Sequence, residues 1–406
     1  MRVICLLCVG VACIALGGCR GKNAAPVTSN SSVPSTASAT PKKTGVASQT
    51  KTHTSLPLQV PKRLTGPGGK NSIAVLTWHR ISERPDQYTV TPPSKFAEEL
   101  AFLHEEGANV MRLQDAVELI KAGKPLPERA VSLGFDDGFK SCYTEVFPLL
   151  KQYNWPATLY IYPDWISSGS GALTWAELHE MQKSGLVDVQ SHTMGHPDLV
   201  RMKPKKGMNY AQRLRHELFD SKKTIEAKMG RPVTQLAYPY GFYNKHIMQQ
   251  AQAAGYESAW TVNAGPFSSH FIRGETWMSL PRYLIYRNTT IDRFSRYAFG
   301  KPLDVSRAYP APNGTTTNST TSISARIDGD VDPKTLQMRL AVIQKVDAKY
   351  NPKTRVFSYK PMEELREGTW TVSISGRDKA GRTKTAAWAF VVKKPVPTAI
   401  PETETP

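Results

Sequence analysis

Two hydrophobic periods alternate along the middle of the chain. Short apolar runs of the kind that form buried strands occur at Ile73-Ala74-Val75-Leu76, Ala130-Val131-Ser132-Leu133-Gly134-Phe135, Ala157-Thr158-Leu159-Tyr160-Ile161, Leu186-Val187-Asp188-Val189 and Leu236-Ala237-Tyr238. Between them apolar residues recur at helical spacing: Phe96, Leu100 and Leu103, then Val146, Leu149 and Leu150, then Ile247 to Ala254. A long charged helix is expected from Ala211 to Met229, stopped by Gly230 and Pro232. Thr174-Trp175-Ala176-Glu177 has the spacing of a capping box opening a helix that runs through Met181. Parallel strands need a long crossover, usually a helix, so this alternation predicts an α/β domain on a mostly parallel sheet, open or closed into a barrel.

Beyond about residue 305 the period changes to two. Ile323, Ala325 and Ile327 alternate with polar neighbours, as do Trp370, Val372 and Ile374, and then Ala386, Trp388, Phe390 and Val392. Turn signals such as Asp328-Gly329-Asp330 and Lys379-Ala380-Gly381 separate these runs. A region of alternating strands without a helical stretch predicts a smaller antiparallel β-sandwich, Ig-like, over 306–394, followed by a loose Pro/Thr/Glu tail at 395–406.

The first seventy residues differ from both regions. Arg2 precedes an apolar run from Val3 to Leu16, short for a bilayer span and right for the core of a signal peptide. It ends in Leu16-Gly17-Gly18-Cys19, which resembles the bacterial lipobox; the resemblance implies a signal peptide over 1–18 and a lipidated Cys19 as the first mature residue. Residues 19–70 are rich in Ser, Thr, Ala, Pro, Lys and Gly, the composition of a tether that cannot bury enough apolar surface to order itself. The chain is expected to be an exported bacterial lipoprotein, membrane-anchored on the extracytoplasmic side. Of five cysteines only Cys142 lies in the folded part, so stability must come from core burial, without an internal disulfide.

At 406 residues the chain has room for two domains, and 40% hydrophobic with 21% charged residues is ordinary for a globular protein. The net charge of +18 changes the picture only in part. Half of it comes from nine Lys and Arg among residues 1–70, which hold no Asp or Glu. A solvated basic tail accounts for that half, with attraction to anionic head groups or wall polymer as the sharper alternative. No interleaved basic and aromatic pattern points to nucleic acid.

Two segments concentrate chemistry at strand ends: Gly134-Phe135-Asp136-Asp137-Gly138 and His192-Thr193-Met194-Gly195-His196-Pro197. In parallel α/β folds ligands bind at the carboxyl ends of strands, so both segments are expected to face one cleft. Two imidazoles and one carboxylate make a three-ligand metal site with an open position, the pattern of a catalytic centre. A second, adjacent carboxylate outside the metal sphere can act as general base on a water there. An Asp-Asp pair alone is usually a turn and a lone His-x-x-x-His usually surface decoration; together, each at a strand end and about 55 residues apart, they favour a site.

Here the chain resembles the polysaccharide deacetylases (NodB homology, carbohydrate esterase family 4) over roughly residues 72–300. The resemblance implies a distorted (β/α) barrel over 71–305, with Asp136 as general base and Asp137, His192 and His196 as ligands of a divalent metal. Zinc is the first choice for that metal, with Co2+, Ni2+ or Fe2+ also compatible. Tyr238-Pro239-Tyr240-Gly241 is similar to the third family motif, in which the backbone N–H of Tyr240 helps stabilise the oxyanion. The family pattern places an Arg two residues before that Pro, where this chain has Ala237; Arg282 in Leu280-Pro281-Arg282-Tyr283 is the candidate substitute. The late Leu-x-x-His of the family is absent, and no His follows His270. Instead Leu76-Thr77-Trp78-His79-Arg80-Ile81 closes an early strand, which resembles the circularly permuted branch that includes the poly-β-1,6-N-acetylglucosamine N-deacetylases. The resemblance implies that His79 protonates the leaving amine. No role is expected for His53, His104, His179, His216, His246 or His270.

The leading expectation is metal-dependent hydrolysis of N-acetyl groups from an extracellular N-acetylglucosamine polymer, with other exopolysaccharide machinery as a further partner. An O-acetyl esterase on another glycan, or a peptidoglycan or chitin deacetylase, keeps the site and changes the bond. A non-catalytic glycan-binding lipoprotein is the reading from another class, kept open by the altered third motif and the missing late His.

Overall fold

The computed structural model describes residues 71–84, 88–205, 207–268, 276–341 and 344–393. The signal peptide, Cys19, the tether and the tail lie outside the described residues. No described helix is long and apolar enough to cross a membrane.

The first region is a curled, mostly parallel sheet wrapped by helices. In chain order it runs β1 (Ser72–Trp78), α1 (Pro93–Glu105), β2 (Asn109–Val110), α2 (Leu113–Lys121), β3 (Ala130–Asp137), α3 (Phe147–Tyr153), β4 (Ala157–Ile161), α4 (Trp175–Lys183) and β5 (Val187–Ser191). It continues with α5 (Tyr210–Arg215), α6 (Ser221–Met229), β6 (Gln235–Ala237), α7 (Lys245–Ala253), β7 (Ser258–Trp260), β8 (Phe267–Ser268), β9 (Tyr283–Leu284) and α8 (Ile291–Phe299). The sheet order is β7-β6-β5-β4-β3-β1-β8, with β9 also pairing with β1 and β2 with β3. Every pairing is parallel except β1 with β8.

Both faces of the strands are buried, which explains why they read as continuous apolar runs. On β1, Ala74, Leu76 and Trp78 pack outward under the helices, while Ile73 and Val75 face a second cluster with α2, Tyr160, Ala237 and Trp260. Trp78 is fully buried, stacks on Phe135 at 5.6 Å between ring centroids, and donates its indole N–H to Glu99 at 2.8 Å. Inside the sheet the Tyr160 hydroxyl and the Trp260 indole N–H both donate to the Gln235 side-chain oxygen, at 2.7 and 3.1 Å.

The capping box at the start of α4 forms as its spacing predicts: Thr174 Oγ1 accepts the Glu177 N–H and the Glu177 carboxylate accepts the Thr174 N–H. A cap of this kind stabilises a helix by about 1 kcal/mol. The long helix expected over 211–229 is present but not uniform. Its α5 and α6 turns are joined by a π-helical segment, His216–Asp220, whose Glu217 and Leu218 are buried.

Beyond α8 the chain builds two further sheets around one apolar core. Strands β10 (Lys301–Pro302), β12 (Thr315–Thr316), β14 (Gln337–Leu340), β15 (Gln344–Val346), β18 (Gly368–Arg377) and β19 (Thr383–Val392) form one. Strands β11 (Val305–Tyr309), β13 (Ile323–Ile327), β16 (Lys349–Asn351) and β17 (Val356–Tyr359) form the other. Of the alternating residues singled out above, Ile323, Ala325, Ile327, Val372, Ile374, Ala386, Trp388, Phe390 and Val392 are buried and share this core with Leu303, whereas Trp370 is only partly buried, and on β19 the intervening Ala387, Ala389 and Val391 are buried as well.

Candidate metal centre and active site

The site lies where β1, β3, β5, β6 and β7 end. At the close of β3 the chain turns sharply: Asp137 and Gly138 both have φ of 76°, in the left-handed region. That turn aims two consecutive carboxylates in different directions. A side chain at Gly138 would be strained at this φ and would have to displace the tip of Ile166, 2.8 Å from its Cβ. Thr193 (φ 70°), His196 (φ 57°) and Tyr240 (φ 57°) are also left-handed, so four strained non-glycine residues cluster around one centre. Such conformations cost about 1–3 kcal/mol each and persist only where the surroundings hold them.

Asp137, His192 and His196 each contribute one ligand atom, and these atoms lie within 4.8 Å of one another. Asp137 Oδ1 stands 3.5 Å from His192 Nε2 and 3.4 Å from His196 Nε2. The donors fit a divalent cation on three counts. His192 Nδ1 donates to the Ala237 carbonyl at 2.7 Å, which fixes the tautomer with Nε2 free toward the centre. Burial pushes the His196 pKa down to about 2, keeping that imidazole neutral. Asp137 Oδ1 is buried with no hydrogen-bond partner, an acceptor left open toward the two imidazoles.

Asp136 has the opposite environment. Arg282 donates Nη1 to its Oδ1 at 2.9 Å and Nη2 to its Oδ2 at 3.0 Å, a two-pronged buried ion pair. Arg282 is itself oriented by donating Nε to the Thr261 carbonyl at 3.1 Å and by lying over the Tyr160 ring at 5.3 Å. Burial alone would raise the Asp136 pKa; the charges of Arg282, His192 and His79 overcome it and hold the carboxyl at about 2. For Asp137 burial raises the pKa, His192 works against it and the charge of Asp136 works with it, leaving about 6. Thus the guanidinium expected at the position of Ala237 comes from Arg282, while Ala237 supplies only its carbonyl to His192.

His79 follows β1, which runs beside β3 with Trp78 opposite Phe135. Its Nδ1 is buried without a hydrogen-bond partner, and burial lowers its pKa, with Asp136 acting upward and Arg282 downward. Tyr240 sits on a tight turn closed by Gly241 N–H to the Tyr238 carbonyl and Phe242 N–H to the Pro239 carbonyl, neither of which uses the Tyr240 N–H. Its ring is half exposed and stands edge-on to His196 at 4.8 Å. The structure therefore brings together Asp136, Asp137, His192, His196 and Tyr240, with His79 within electrostatic reach of Asp136. His104 and His216 lie elsewhere, one against Tyr153 and Trp155 and the other paired with Asp220.

Two contributors were not anticipated. Tyr162, directly after β4, packs its ring 5.2 Å from His196 and extends the aromatic rim; its place just past a strand end was the available signal. Glu217 is buried, and its Oε2 accepts both the Met194 N–H (3.0 Å) and the Gly195 N–H (2.9 Å). It clamps the backbone between the two histidines. The signal for it was a carboxylate at helical spacing from Leu214, Leu218 and Ile225, on the stripe expected to face inward.

Comparison with known proteins agrees with this geometry. Residues 123–259 match the family profile described as Polysaccharide deacetylase. The chain is similar to proteins named poly-β-1,6-N-acetyl-D-glucosamine N-deacetylase from Escherichia coli K12 (26% identical over 266 residues, 57% of this chain and 39% of that protein) and Staphylococcus epidermidis (26% over 213 residues, 48% and 73%). It therefore spans about two fifths of the E. coli relative. The solved structure of the Streptococcus pyogenes deacetylase PplD in complex with acetate, 24% identical, covers 56% of this chain with a TM-score of 0.50, a likeness of fold.

Glu217→Gln keeps the shape of the clamp and replaces the charged acceptor by an amide. Loss of supporting contacts around a metal site typically weakens affinity about 10–100-fold, and a loss in that range is expected, read by chelator competition for Zn2+. Unchanged affinity would show that the loop holds its strained form without this carboxylate. Residues 123–259 thus carry a likeness to the polysaccharide deacetylase family, and the residues assembled at the strand ends are in keeping with it.

Proposed function

We propose that this protein is a metal-dependent N-deacetylase of an extracellular N-acetylglucosamine polymer, poly-β-1,6-N-acetylglucosamine in the first place. The observation that carries the reading is the division of two adjacent carboxylates. Asp137 faces His192 and His196 as a ligand set, and Asp136 is held ionised by Arg282 beside it. The names of the relatives from E. coli and S. epidermidis support the choice of polymer.

Asp137, His192 and His196 would hold the cation, with zinc suited to two imidazoles and a carboxylate. Bound there, it supplies Lewis-acid polarisation of the acetyl carbonyl and of the attacking water. Asp136 accepts a proton from that water as its oxygen attacks the acetyl carbon. Arg282 occupies one lone pair on each carboxylate oxygen and leaves the others to accept, so it orients the base without blocking it. The Tyr240 N–H, unused by its own turn, donates to the developing oxyanion. His79 then delivers a proton to the sugar nitrogen as the C–N bond breaks, giving acetate and a free amine. Burial keeps the resting imidazole of His79 neutral near pH 7, so it must take up its proton during the cycle.

The remaining assignments rest on the sequence and on the second core. The two sheets beyond α8 are read as an Ig-like β-sandwich over 306–394, after a deacetylase domain over 71–305. Leu16-Gly17-Gly18-Cys19 supports an exported lipoprotein anchored on the extracytoplasmic side through Cys19, with residues 19–70 as tether. Cys19→Ala is expected to move the protein from the membrane fraction of the native host to the soluble fraction; unchanged partition would remove the anchor.

The reaction is tested by acetate release from β-1,6- and β-1,4-linked N-acetylglucosamine oligomers, with and without chelator and added zinc. Release from the β-1,6 series, lost with chelator and restored by zinc, is expected; release from neither series would sink the proposal. Asp136→Asn should lower turnover by roughly 10²–10⁴-fold, the range for a general base, while zinc affinity is retained. In Arg282→Gln burial is no longer opposed by the guanidinium, so the Asp136 pKa rises. The acid limb of the kcat/KM profile should then move to higher pH. A limb that stays in place would mean that Arg282 does not set the ionisation of the base.

A further inference from the structure

The sheet of β18 and β19 does more than close its own core. Strand β19 is buried along its last eight residues, on both faces. One face, Ala386, Trp388, Phe390 and Val392, belongs to the core beyond α8. The other carries the small side chains of Ala387 and Ala389 and is turned toward the parallel sheet, whose main core cluster includes Ala389. What this face meets is the segment that carries Arg282.

That segment laces the last parallel strand to the first. The Leu280 N–H donates to the Ala259 carbonyl at 2.9 Å, the Arg282 N–H to the Asn263 carbonyl at 3.1 Å, and the Ile285 N–H to the Thr77 carbonyl at 2.8 Å. Side chains along it alternate. Leu280 enters the inner cluster and Arg282 reaches Asp136. Ser279, Pro281 and Tyr283 turn to the region beyond α8. Asn313, whose N–H donates to the Ala389 carbonyl at 2.8 Å, donates Nδ2 to Ser279 Oγ at 3.2 Å. Gly265 packs with both Pro281 and Ala387: a Cβ there would stand 3.8 Å from Pro281 Cβ and 3.6 Å from Ala387 Cβ. Tyr283 is buried, with Thr385 of β19 beside its hydroxyl and Tyr297 of α8 stacked on its ring at 4.5 Å.

A parallel sheet needs cover on both faces, ordinarily supplied by helices. At residues 279–283 the outer cover comes largely from β19 and Asn313 instead. The guanidinium placed by this segment is fully buried and meets both oxygens of Asp136, at 2.9 and 3.0 Å, so its position has little tolerance. We propose that the sheet beyond α8 takes part in the reaction as a positioning element: Asn313 and Ala387 hold the segment 279–283 so that Arg282 meets Asp136. The inference rests on the reading of Asp136 as the base that Arg282 orients. It gives the second region a role in hydrolysis that needs no ligand of its own.

The test uses zinc-loaded full-length protein with isotopically labelled arginine, read by nuclear magnetic resonance. The Arg282 Nε–H signal is assigned by its loss in Arg282→Gln. In the parent it is expected to be protected from solvent exchange, as a buried guanidinium held on two sides should be. Asn313→Gly removes the amide and suits the left-handed backbone there (φ 59°). Ala387→Leu presses on Gly265 and Pro281. In both variants Arg282 exchange is expected to accelerate by about tenfold or more. With zinc affinity retained, kcat for acetate release should fall by up to about 10²-fold at unchanged KM, the cost of a misplacement of about 1 Å. Neither variant should lower kcat further in the Arg282→Gln background, because the effect passes through that arginine. Should Ala387→Leu lose its fold, Asn313→Gly decides alone. Parent-like exchange or parent-like kcat in the folded variants, or a loss that adds in full to that of Arg282→Gln, would overturn the proposal. A parent inactive on every oligomer fails the deacetylase reading instead, and the exchange comparison still decides this one.

Discussion

The buried contact between Arg282 and Asp136 sets the character of the whole centre. Two carboxylates on consecutive residues cannot both be carried into a dry site as anions without compensation, because desolvation and mutual repulsion act in the same direction. The fold compensates them separately. Asp136 receives a two-pronged guanidinium that holds its carboxyl at about 2, while Asp137 faces the two imidazoles and is left at about 6 with an acceptor unfilled. The two carboxylates are thus distinguished by environment.

That arrangement requires a backbone the chain would not adopt by itself. Four left-handed residues, Asp137, Thr193, His196 and Tyr240, surround the centre. The histidine loop is held from outside by Glu217 on the Met194 and Gly195 N–H groups and by the Ala237 carbonyl on His192, and from within by Ser191 Oγ on the Thr193 N–H. Beneath them the Tyr160, Gln235 and Trp260 network fills the interior of the sheet and supports the arginine. Rigid support below and strain above is the usual economy of a site built on strand ends, where geometry must be held to fractions of an ångström.

Much of this was legible because parallel strands buried on both faces leave a strong apolar signal, and because chemistry at their ends follows directly in sequence. Asp136-Asp137 after β3 and His192 after β5 were readable for that reason, and the Thr174 capping box because its partners are three residues apart. What was not legible is long-range or short-lived in sequence. Strands β7, β8 and β9 are two or three residues long, below the length at which a period can be recognised. The arginine that pairs with Asp136 is 146 residues away, and nothing local marks Arg282 as buried; it could be named as the substitute cation only because the family resemblance calls for one. Glu217 looked like one charge among many on a charged helix, although its place on the apolar stripe was visible.

The same short segment explains why a second region matters to the first. Residues 280–288 close the sheet: β9 pairs with β1, the Ile285 N–H donates to the Thr77 carbonyl two residues before His79, and Arg282 and Tyr283 point to opposite sides. A strand of two residues has little pairing of its own to hold it. Its inward side is fixed by the ion pair to Asp136, and its outward side by Tyr283 stacked on Tyr297 of α8 at 4.5 Å. The position of Arg282 is therefore determined from both faces.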